Sequence, residues 1–360
     1  MKNICFLNGD MSRSGGTERV TSTIANELSN NDKFNVHVLS TTNESNTSVF
    51  KLNEKIRQDR ILKDKQVNFK KHYFKVVKGI RQYIKQNDID VLIDVDVISD
   101  LFSIPATRLI KTKLISWEHF HIYNNNGSKL RDIARKLAAR YSDYIITLTE
   151  KDKNNYIEKL NIKNKIDYIY NPIIKEDEVT CDINAKQIIS VGMLRHVKGF
   201  DMLCDVANEV LYKHKDWKWI ILGEGEDRPL LEEKIKKYNL GDKLILKGNV
   251  LDVDHYYKNS SIYVMTSRYE GLPMVLLEAK SKGLPIVSFD CLTGPSEMIC
   301  DGINGYIIEP NNIEKMAEKI NEIIVNDKKR EMFSFNSNID MEKFDMKHII
   351  PKWIRILNNI

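Results

Sequence analysis

The order in which apolar segments alternate along the chain is the strongest constraint on its fold. Short runs such as Val91–Val95 and Lys113–Trp117 have the length and residue types of buried strands. Amphipathic helical patterns such as Lys129–Tyr141 follow such runs. Strands that alternate with helices are typical of βαβ units, in which neighbouring strands run parallel. The sequence therefore predicts an α/β fold built from doubly wound parallel sheets.

The predicted strands form two series with a polar stretch at residues 175–178 between them. The first series is Ile4–Asn8, Asn35–Ser40, Val91–Val95, Lys113–Trp117, Tyr144–Leu148 and Ile166–Tyr170. The second is Gln187–Val191, Lys218–Leu222, Leu244–Leu246, Ile262–Met265, Pro285–Phe289 and Tyr306–Ile308. The chain of 360 residues is long enough for two hydrophobic cores, so we predict Rossmann-like domains at 1–173 and 174–343. A last amphipathic helix within 344–360 needs a surface for its apolar stripe, and we expect it to return to the first domain.

Composition places the chain among soluble globular proteins, at 42% apolar and 29% charged residues. No apolar run approaches the roughly 18 residues of a membrane span, and the first residues do not form a signal-peptide pattern. The five cysteines are scattered without metal-ligand spacing, which favours a reducing compartment and argues against zinc. We therefore expect a cytoplasmic protein.

Two glycine-containing loops each follow a predicted strand and open a helix. Gly15 and Gly16 would let a ligand approach the backbone at a helix N-terminus, where anions are favoured; a tight turn that requires glycine is the alternative. The second loop starts at Gly192 and contains Arg195 and Lys198. The planar guanidinium of Arg195 and the ammonium of Lys198 would bind a diphosphate; two solvated charges are the alternative. Neither loop is Gly-x-Gly-x-x-Gly or a P-loop, which argues against a dehydrogenase.

Two glutamates follow the strand predicted at Ile262–Met265. Glu270 lies in the turn after the strand, Pro273 suits the first position of the next helix, and Glu278 lies within that helix. The two carboxylates can face one pocket, and paired carboxylates suit the hydroxyls of a ribose or a sugar. Two glutamates at this spacing are common in proteins, so the pair gains meaning only from its neighbours.

In combination, four motifs resemble those of the retaining, nucleotide-sugar-dependent glycosyltransferases of family 4, which have the two-domain GT-B fold. The resemblance covers nearly the whole chain and is densest in 187–310. The motifs, in chain order, are Gly15-Gly16-Thr17-Glu18-Arg19, Gly192-Met193-Leu194-Arg195-His196-Val197-Lys198-Gly199, Gly223-Glu224-Gly225 and the pair Glu270 and Glu278. The resemblance implies two domains that face a cleft.

The resemblance also implies roles for residues on the donor side. Arg195 and Lys198 would hold the donor diphosphate, Glu278 would accept the ribose hydroxyls, and the loop that contains Val250 would seat the base. Glu270 would hold the transferred sugar and the distal phosphate. It would act with the turn that follows it, which consists of Gly271, Leu272, Pro273 and Met274.

On the other domain, the resemblance places Gly15 and Gly16 along the cleft and a histidine near the transferred sugar. His119 directly follows the strand Lys113–Trp117 and is the preferred candidate. His121 remains open as an alternative, and Glu118 is a rival for an acidic role. For the reaction, the usual proposal for the family is attack on the face that the diphosphate leaves, with the diphosphate as base.

Asp94-Val95-Asp96 looks like the metal-binding Asp-x-Asp of the other glycosyltransferase fold. We interpret these residues as carboxylates at a strand end, because Arg195 and Lys198 already supply the cations that a diphosphate needs. We therefore expect an enzyme without a metal or another cofactor.

The charge of the chain is uneven. Residues 1–180 contain 30 Lys and Arg against 23 Asp and Glu, whereas residues 181–360 contain 25 against 27. Residues 51–85 alone contain 12 basic and 3 acidic residues, and a helical pattern at Phe69–Lys85 puts the cations opposite an apolar face. A solvated outer face is one interpretation. The other is an anionic membrane surface, because relatives often extend glycans on polyprenyl-diphosphate carriers at the inner leaflet. No nucleic-acid-reading motif is present.

The resemblance thus implies a hexosyltransferase that uses a nucleotide sugar, with UDP preferred over GDP. Its acceptor would be a growing surface polysaccharide, and it would lie at the inner face of the plasma membrane. The alternatives are a nucleotide-sugar epimerase and a non-catalytic GT-B partner subunit.

Overall fold

Two separate parallel sheets organise the chain. The structure is a computed structural model that describes residues 1–125, 127–162, 165–173 and 181–360, so the predicted linker at 175–178 lies outside the described residues. The chain divides into two compact units, one formed by Met1–Pro172 with Met346–Ile360 and the other by Ile173–Asp345.

The first unit contains a seven-stranded sheet in the order β3-β2-β1-β4-β5-β6-β7, with all strand pairs parallel. Its strands are β1 (Lys2–Asn8), β2 (Phe34–Thr42), β3 (Arg57–Leu62), β4 (Val91–Val95), β5 (Lys113–Trp117), β6 (Tyr144–Thr147) and β7 (Ile166–Tyr168). Its helices are α1 (Gly16–Ser29), α2 (Phe69–Gln86), α3 (Asp100–Thr107), α4 (Lys129–Tyr141), α5 (Glu150–Leu160) and, from the end of the chain, α12 (Met346–Asn359).

The second unit contains a six-stranded parallel sheet in the order β10-β9-β8-β11-β12-β13. Its strands are β8 (Gln187–Val191), β9 (Lys218–Leu222), β10 (Leu244–Gly248), β11 (Ile262–Met265), β12 (Ile286–Phe289) and β13 (Gly305–Ile308). Its helices are α6 (Phe200–Lys213), α7 (Arg228–Lys237), α8 (Val253–Lys258), α9 (Met274–Ser281), α10 (Ile313–Val325) and α11 (Asp327–Phe335). The predicted α/β fold of two doubly wound domains is confirmed.

The sequence patterns did not reveal strand β3. Its sequence, Arg57-Gln-Asp-Arg-Ile-Leu62, lacks the apolar alternation of a half-buried strand, and five of its six residues are at least partly exposed. It lies at the edge of the sheet beside β2, where one side of a strand can remain polar. The basic segment 51–85 is therefore a polar edge strand followed by helix α2.

Helix α12 returns to the first unit, as the sequence predicts. Its Trp353 is fully buried, and the ring lies 4.8 Å from the ring of Trp117 on β5 and 6.1 Å from Phe6 on β1. The Lys2 ammonium donates to the carbonyl of Leu357, 2.6 Å away. Burial of the tryptophan side chain accounts for the return, since a large aromatic side chain loses most when left in water.

Two buried carboxyl groups lie in the first unit, one on a strand of the sheet and one on a helix. Asp94, on β4, accepts from the Ser103 hydroxyl at 2.7 Å, and Asp100, on α3, accepts from the Ser116 hydroxyl at 2.5 Å. Burial raises the pKa of Asp94 to about 7, and burial together with the charge of Asp94 raises that of Asp100. The pair therefore retains protons in the folded state at pH values where the unfolded chain has lost them.

This pair makes a prediction about stability and pH. Between about pH 4 and pH 7 this pair binds more protons in the folded state than in the unfolded chain, so its contribution to stability should fall as the pH rises, by at most about 1.4 kcal/mol per pH unit for one proton. The variant Asp94→Asn should show a shallower dependence. The measurement is the opening free energy from hydrogen exchange of β4 and β5, corrected for the chemical exchange rate. Asp242→Asn, an exposed change in the second unit, should keep the wild-type slope, and an equal slope in Asp94→Asn would contradict the assignment.

Candidate active site

The predicted donor residues of the second unit lie where the strand order of its sheet reverses. Strand β8 lies between β9, the next strand in the chain, and β11. Loops that leave two such neighbouring strands run in opposite directions and open a crevice at the carboxyl ends of the strands. Arg195 and Lys198 are in the loop after β8, and Glu270 is in the loop after β11. The topology therefore brings the predicted cations and the predicted carboxylate to one place.

The two loops pack backbone against backbone. Gly199 has a positive φ of 66°, and a Cβ atom there would lie 2.0 Å from the carbonyl oxygen of Thr266. The Thr266 hydroxyl donates to the Gly199 carbonyl at 2.9 Å, and the Arg268 N–H donates to the Val197 carbonyl at 2.8 Å. Glycine is thus required both by the backbone conformation and by the close approach. These contacts fix Lys198 relative to the β11 loop.

Lys198 and Glu270 form an ion pair across the crevice. The Lys198 Nζ lies 2.6 Å from Glu270 Oε1, and the side chains are 23% and 10% exposed. The Ser267 hydroxyl donates to the same carboxylate oxygen at 2.7 Å. The Thr293 hydroxyl donates to the backbone carbonyl of Glu270 at 2.5 Å. The carboxylate is held on several sides but keeps an exposed fraction through which a ligand can reach it.

Glu278 lies near Glu270 on the evidence of a shared neighbour. Tyr257 donates from its hydroxyl to Glu278 Oε2 at 3.2 Å. Burial, and then the charges of Glu270 and Glu278, raise the pKa of Tyr263 well above its usual range. The charges of both carboxylates therefore act on one buried phenol on β11.

The turn between the two glutamates differs in one detail from the expectation. Pro273 is the N-cap of α9 rather than its first helical residue, because its ψ of 96° is extended and the helix begins at Met274. Leu272 and Pro273 are buried, while Gly271 and Met274 are half-buried. The Leu276 N–H donates to the Pro273 carbonyl at 3.0 Å, whereas the N–H groups of Met274 and Val275 have no acceptor within the helix.

Arg195 lies in the loop that follows β8, and Val250 lies in the loop that follows β10. Arg195 is exposed, whereas Lys198 is tied to Glu270. Strand β10 runs to Gly248, two residues beyond the predicted end, and the Gly223 N–H donates to the Gly248 carbonyl at 2.9 Å. Val250 is half-buried two residues after this link.

In the first unit, Gly15 and Gly16 lie where β1 leads into α1. Gly15 is the N-cap with an ordinary φ of −90°, and a Cβ atom on Gly16 would meet no atom within 4 Å. The backbone conformation of Gly15 does not require glycine, but a Cβ atom there would lie 2.3 Å from Oε2 of the Glu18 side chain. The open space beside Gly16 is compatible with close approach of a ligand.

His119 follows β5 and packs against Trp117 at the end of that strand. Its ring lies 4.3 Å from the ring of Trp117, and its buried Nε2 has no hydrogen-bond partner among the described residues. Burial lowers the pKa of His119 to about 4, although the charge of Glu118 acts in the opposite direction. The imidazole is therefore neutral at physiological pH.

The structure does not support Glu118 as the rival acidic residue. Its side chain is fully buried, where Arg135 Nε donates to it at 2.7 Å and the Tyr156 hydroxyl at 2.5 Å. Burial alone would raise the pKa of Glu118, but the guanidinium of Arg135 and the hydroxyl of Tyr156 hold it below its usual value. His121 is also fully buried, and its Nδ1 accepts from the Tyr123 N–H at 3.3 Å. Among the three candidates, only His119 is partly exposed.

Known proteins resemble the chain over both units. Residues 14–176 match the family described as Glycosyltransferase Family 4, and residues 175–338 match Glycosyl transferases group 1. A protein of Haemophilus influenzae described as an uncharacterized glycosyltransferase is 34% identical over 99% of this chain and 100% of its own length. The amylovoran biosynthesis glycosyltransferase AmsD of Erwinia amylovora is 31% identical over 99% of this chain and 100% of its own length. The chain is a family 4 glycosyltransferase.

A relative with lower sequence identity has a name that states its reaction. It is the GalNAc-alpha-(1->4)-GalNAc-alpha-(1->3)-diNAcBac-PP-undecaprenol alpha-1,4-N-acetyl-D-galactosaminyltransferase of Campylobacter jejuni, 25% identical over 100% of this chain and 99% of its own length.

Solved structures agree with the GT-B fold of this glycosyltransferase. The lipopolysaccharide outer core galactosyltransferase WaaB superimposes with a TM-score of 0.79 at 23% identity, covering 99% of this chain and 100% of that one. HepE of Anabaena in complex with UDP superimposes with a TM-score of 0.81 at 17% identity, covering all of both chains. At these identities the likeness supports the fold alone.

In this glycosyltransferase, Asp94 and Asp96 both have partners within the protein. Asp94 accepts from Ser103, and Asp96 receives two hydrogen bonds from Arg131, at 2.6 and 2.7 Å. These contacts agree with the interpretation of carboxylates at a strand end. Within the described residues, no group of three or more His, Cys, Asp or Glu is arranged to hold a metal ion.

Several residues of the site escaped the sequence analysis. Tyr257 and Tyr263 contact or adjoin the carboxylates, and Ser267 and Thr293 position Glu270. Ser267 precedes Glu270 by three residues, which the motif could have suggested. The tyrosines and Thr293 became neighbours only through the folding of the sheet.

The close approach at Gly199 makes a prediction. Gly199→Ala should destabilise the second unit by about 1 to 3 kcal/mol, because the side chain requires both a strained φ and displacement of the Thr266 carbonyl. The measurement is the urea unfolding midpoint. Gly241→Ala is the matched control, since a Cβ there meets no atom within 4 Å. Equal stability of the two variants would contradict the predicted clash.

Proposed function

We propose that this glycosyltransferase moves a hexose from a UDP-sugar to a growing, lipid-linked glycan in surface polysaccharide synthesis, with retention of the anomeric configuration. The single observation that carries the proposal is the ion pair of Lys198 and Glu270 at the crevice of the second unit. Transfer from a nucleotide sugar needs a cation for the departing diphosphate and an acceptor for the sugar hydroxyls, and this pair supplies both.

Neighbouring groups extend the proposed donor site. Arg195 is exposed beside Lys198 and adds a second cation for the diphosphate. Glu278, oriented by Tyr257, would accept the ribose hydroxyls, and the loop at Val250 would contact the base. The N–H groups at the start of α9 would stabilise the distal phosphate, as helix N-termini do for anions.

In the first unit, His119 is the proposed contact for the transferred sugar. A neutral imidazole can donate a hydrogen bond from one nitrogen and accept with the other. Its buried Nε2 lacks a partner among the described residues, which suits a site that a sugar hydroxyl completes. Gly15 and Gly16 would allow the same ligand to approach the start of α1.

The donor and the acceptor are proposed with support from relatives. HepE binds UDP in its solved structure, and the name of the Campylobacter jejuni relative gives an undecaprenol-diphosphate-linked acceptor. The Erwinia amylovora relative is named for amylovoran biosynthesis. The names of these relatives describe transferases, and no observation favours the epimerase alternative.

We further propose that catalysis needs no divalent metal and no enzymic nucleophile. Lys198 and Arg195 would neutralise the diphosphate, which would itself take the acceptor proton on the face that it leaves. Glu270 is held by Lys198 and Ser267 on the sugar-binding side of this arrangement. A covalent glycosyl adduct on Glu270 would refute this mechanism.

The proposed location is the cytoplasmic face of the plasma membrane, with contact through residues 51–85. Among the described residues, no helix is long and apolar enough to cross a bilayer. On α2, the residues Val76, Ile80, Tyr83 and Ile84 are buried in the core. The exposed cations of the helix are Lys70, Lys71, Lys75, Lys78 and Lys85. This face is available to anionic lipid, although Arg81 is engaged by the carbonyls of Ala106 and Arg108.

The donor site makes a prediction for activity. Glu270→Gln should lower kcat/KM for the preferred UDP-sugar by about 100-fold or more, because a charged acceptor for the sugar is lost. Lys198→Met should weaken UDP binding by about 10-fold or more, the usual worth of a charge-assisted contact. The measurements are transfer or donor hydrolysis across a panel of UDP- and GDP-sugars, and UDP titration by thermal shift.

Lys213→Met, an exposed change on α6, is the control and should behave as wild type. The assay is repeated with a chelator, and equal rates are expected. Wild-type turnover in both site variants would refute the proposed donor site. If the wild-type protein binds UDP but shows no turnover, a non-catalytic partner subunit is favoured. Loss of turnover in the chelator that manganese restores would refute metal independence.

The basic face makes a separate prediction for membranes. The double variant Lys75→Gln/Lys78→Gln should bind anionic vesicles about 30-fold more weakly at low salt, at about 1 kcal/mol per cation. The measurement is co-sedimentation with phosphatidylglycerol vesicles. Lys213→Gln/Lys237→Gln removes two exposed cations from the second unit and should leave binding unchanged. Equal loss in both variants would show that net charge, and not this face, causes binding.

A further inference from the structure

An apolar groove opens on the surface of the first unit between α2, α3 and α4. Its volume is about 540 Å³, within the range of ligand-binding cavities. Among the described residues that line it, Arg108 is the only charged one. The other lining side chains that matter here are Phe69, Tyr73, Ile104, Leu137 and Tyr141. The chemistry of this groove therefore suits a hydrocarbon.

The groove continues into a second, polar cavity of about 280 Å³. Ile104, Arg108 and Tyr141 line both cavities. Lys111 lies in the polar one, together with Lys113 and Asp143, which form an ion pair at 2.9 Å. The guanidinium of Arg140 lies 5.4 Å from the Tyr141 ring. The combined site thus has an apolar chamber and a cationic mouth, the two halves of a site for an anionic amphiphile.

Apolar side chains project into solvent beside the groove. Phe74, whose ring lies 5.4 Å from that of Tyr73, is 83% exposed. Leu109, next to Arg108, is 94% exposed and has a positive φ of 63°, an unusual conformation for a leucine. Phe69 is 37% exposed at the groove itself. Such side chains are costly in water and are typical of surfaces that meet lipid.

The charges around the groove select the partner. Helix α2 contains six Lys and Arg residues and no Asp or Glu, and the segment 108–113 adds three cations without an acid. Cations that flank exposed aromatic and aliphatic side chains match the anionic headgroups and acyl chains of a lipid surface. A second copy of this chain would bring the same positive charge to the contact and would be repelled.

We propose that this groove takes up an acyl chain of an anionic membrane phospholipid, with the lipid phosphate at Arg108 and Lys111. This inference rests on the proposed membrane contact but not on the proposed donor chemistry. It adds a hydrocarbon-binding site to a contact that would otherwise be electrostatic. Membrane binding should then have a part that survives high salt.

A tryptophan reporter tests the groove directly. The four native tryptophans, Trp117, Trp217, Trp219 and Trp353, are buried. Phe69→Trp places a reporter at the groove, and Tyr212→Trp places one at a site on α6 that is 77% exposed. The probe is a vesicle of phosphatidylglycerol and phosphatidylcholine whose acyl chains carry bromine, which quenches tryptophan in contact with hydrocarbon. Only the groove reporter should be quenched, and quenching should persist at about 0.5 M salt, where exposed charges are screened.

Variants at exposed positions test the same proposal without risk to the core. Phe74→Ser and Leu109→Ser should each weaken vesicle binding at high salt by about tenfold, the cost of leaving one large apolar side chain out of the lipid. Tyr212→Ser is the matched control and should bind as wild type.

The outcomes separate the two membrane proposals. Vesicle binding without quenching of the groove reporter, or binding lost entirely at high salt, overturns the groove and leaves the electrostatic contact intact. No vesicle binding at all overturns both, whereas loss of transferase activity bears on neither. Three further outcomes would assign the groove to another occupant and overturn the proposal. They are quenching that requires a polyprenyl phosphate, self-association that Phe74→Ser abolishes, and displacement of vesicles by a single-stranded oligonucleotide.

Discussion

The parallel pairing of every strand in both sheets is the constraint on which the rest of the structure depends. Parallel strands require crossover connections, so helices cover both faces and all the carboxyl ends meet at one edge of each sheet. The strand orders then reverse beside β1 in the first unit and beside β8 in the second. Residues far apart in sequence therefore meet at this edge. Lys198 and Glu270 are 72 residues apart in the chain and form an ion pair there.

That ion pair also explains how the site can hold opposite charges before a ligand arrives. A lysine and a glutamate that are each three-quarters or more removed from water would be costly if unpaired. Together they neutralise one another, and Ser267 satisfies the carboxylate further. On the proposed function, an incoming diphosphate would replace Glu270 as the counter-charge of Lys198. The released carboxylate would then accept the hydroxyls of the sugar attached to that diphosphate, so that donor binding exchanges one set of charge-assisted contacts for another.

The sequence could predict whatever depends on local pattern. Strands such as Val91–Val95, Gln187–Val191 and Ile262–Met265 have the predicted bounds, because a buried parallel strand is a continuous apolar run. Strand β3 was missed because an edge strand needs no such run. Glu118 looked available because it directly follows a strand, yet Arg135 and Tyr156, 17 and 38 residues away, bury and pair it. No local pattern encodes such a partner, and the same holds for Tyr263 beside the two site carboxylates.

Helix α2 shows why charge and exposure have to be considered together. The helical pattern correctly separates the buried Val76 and Ile80 from the exposed lysines, and by itself it describes an ordinary amphipathic surface helix. The pattern treats Phe69 as part of the core face and gives no reason for Phe74, yet both are exposed in the folded chain. Solubility of the helix accounts for its cations but gives no reason for these rings among them. The excess positive charge of the first half is therefore better understood as one component of a mixed polar and apolar surface, because a charged face alone would account for the lysines and leave Phe74 and Leu109 unexplained.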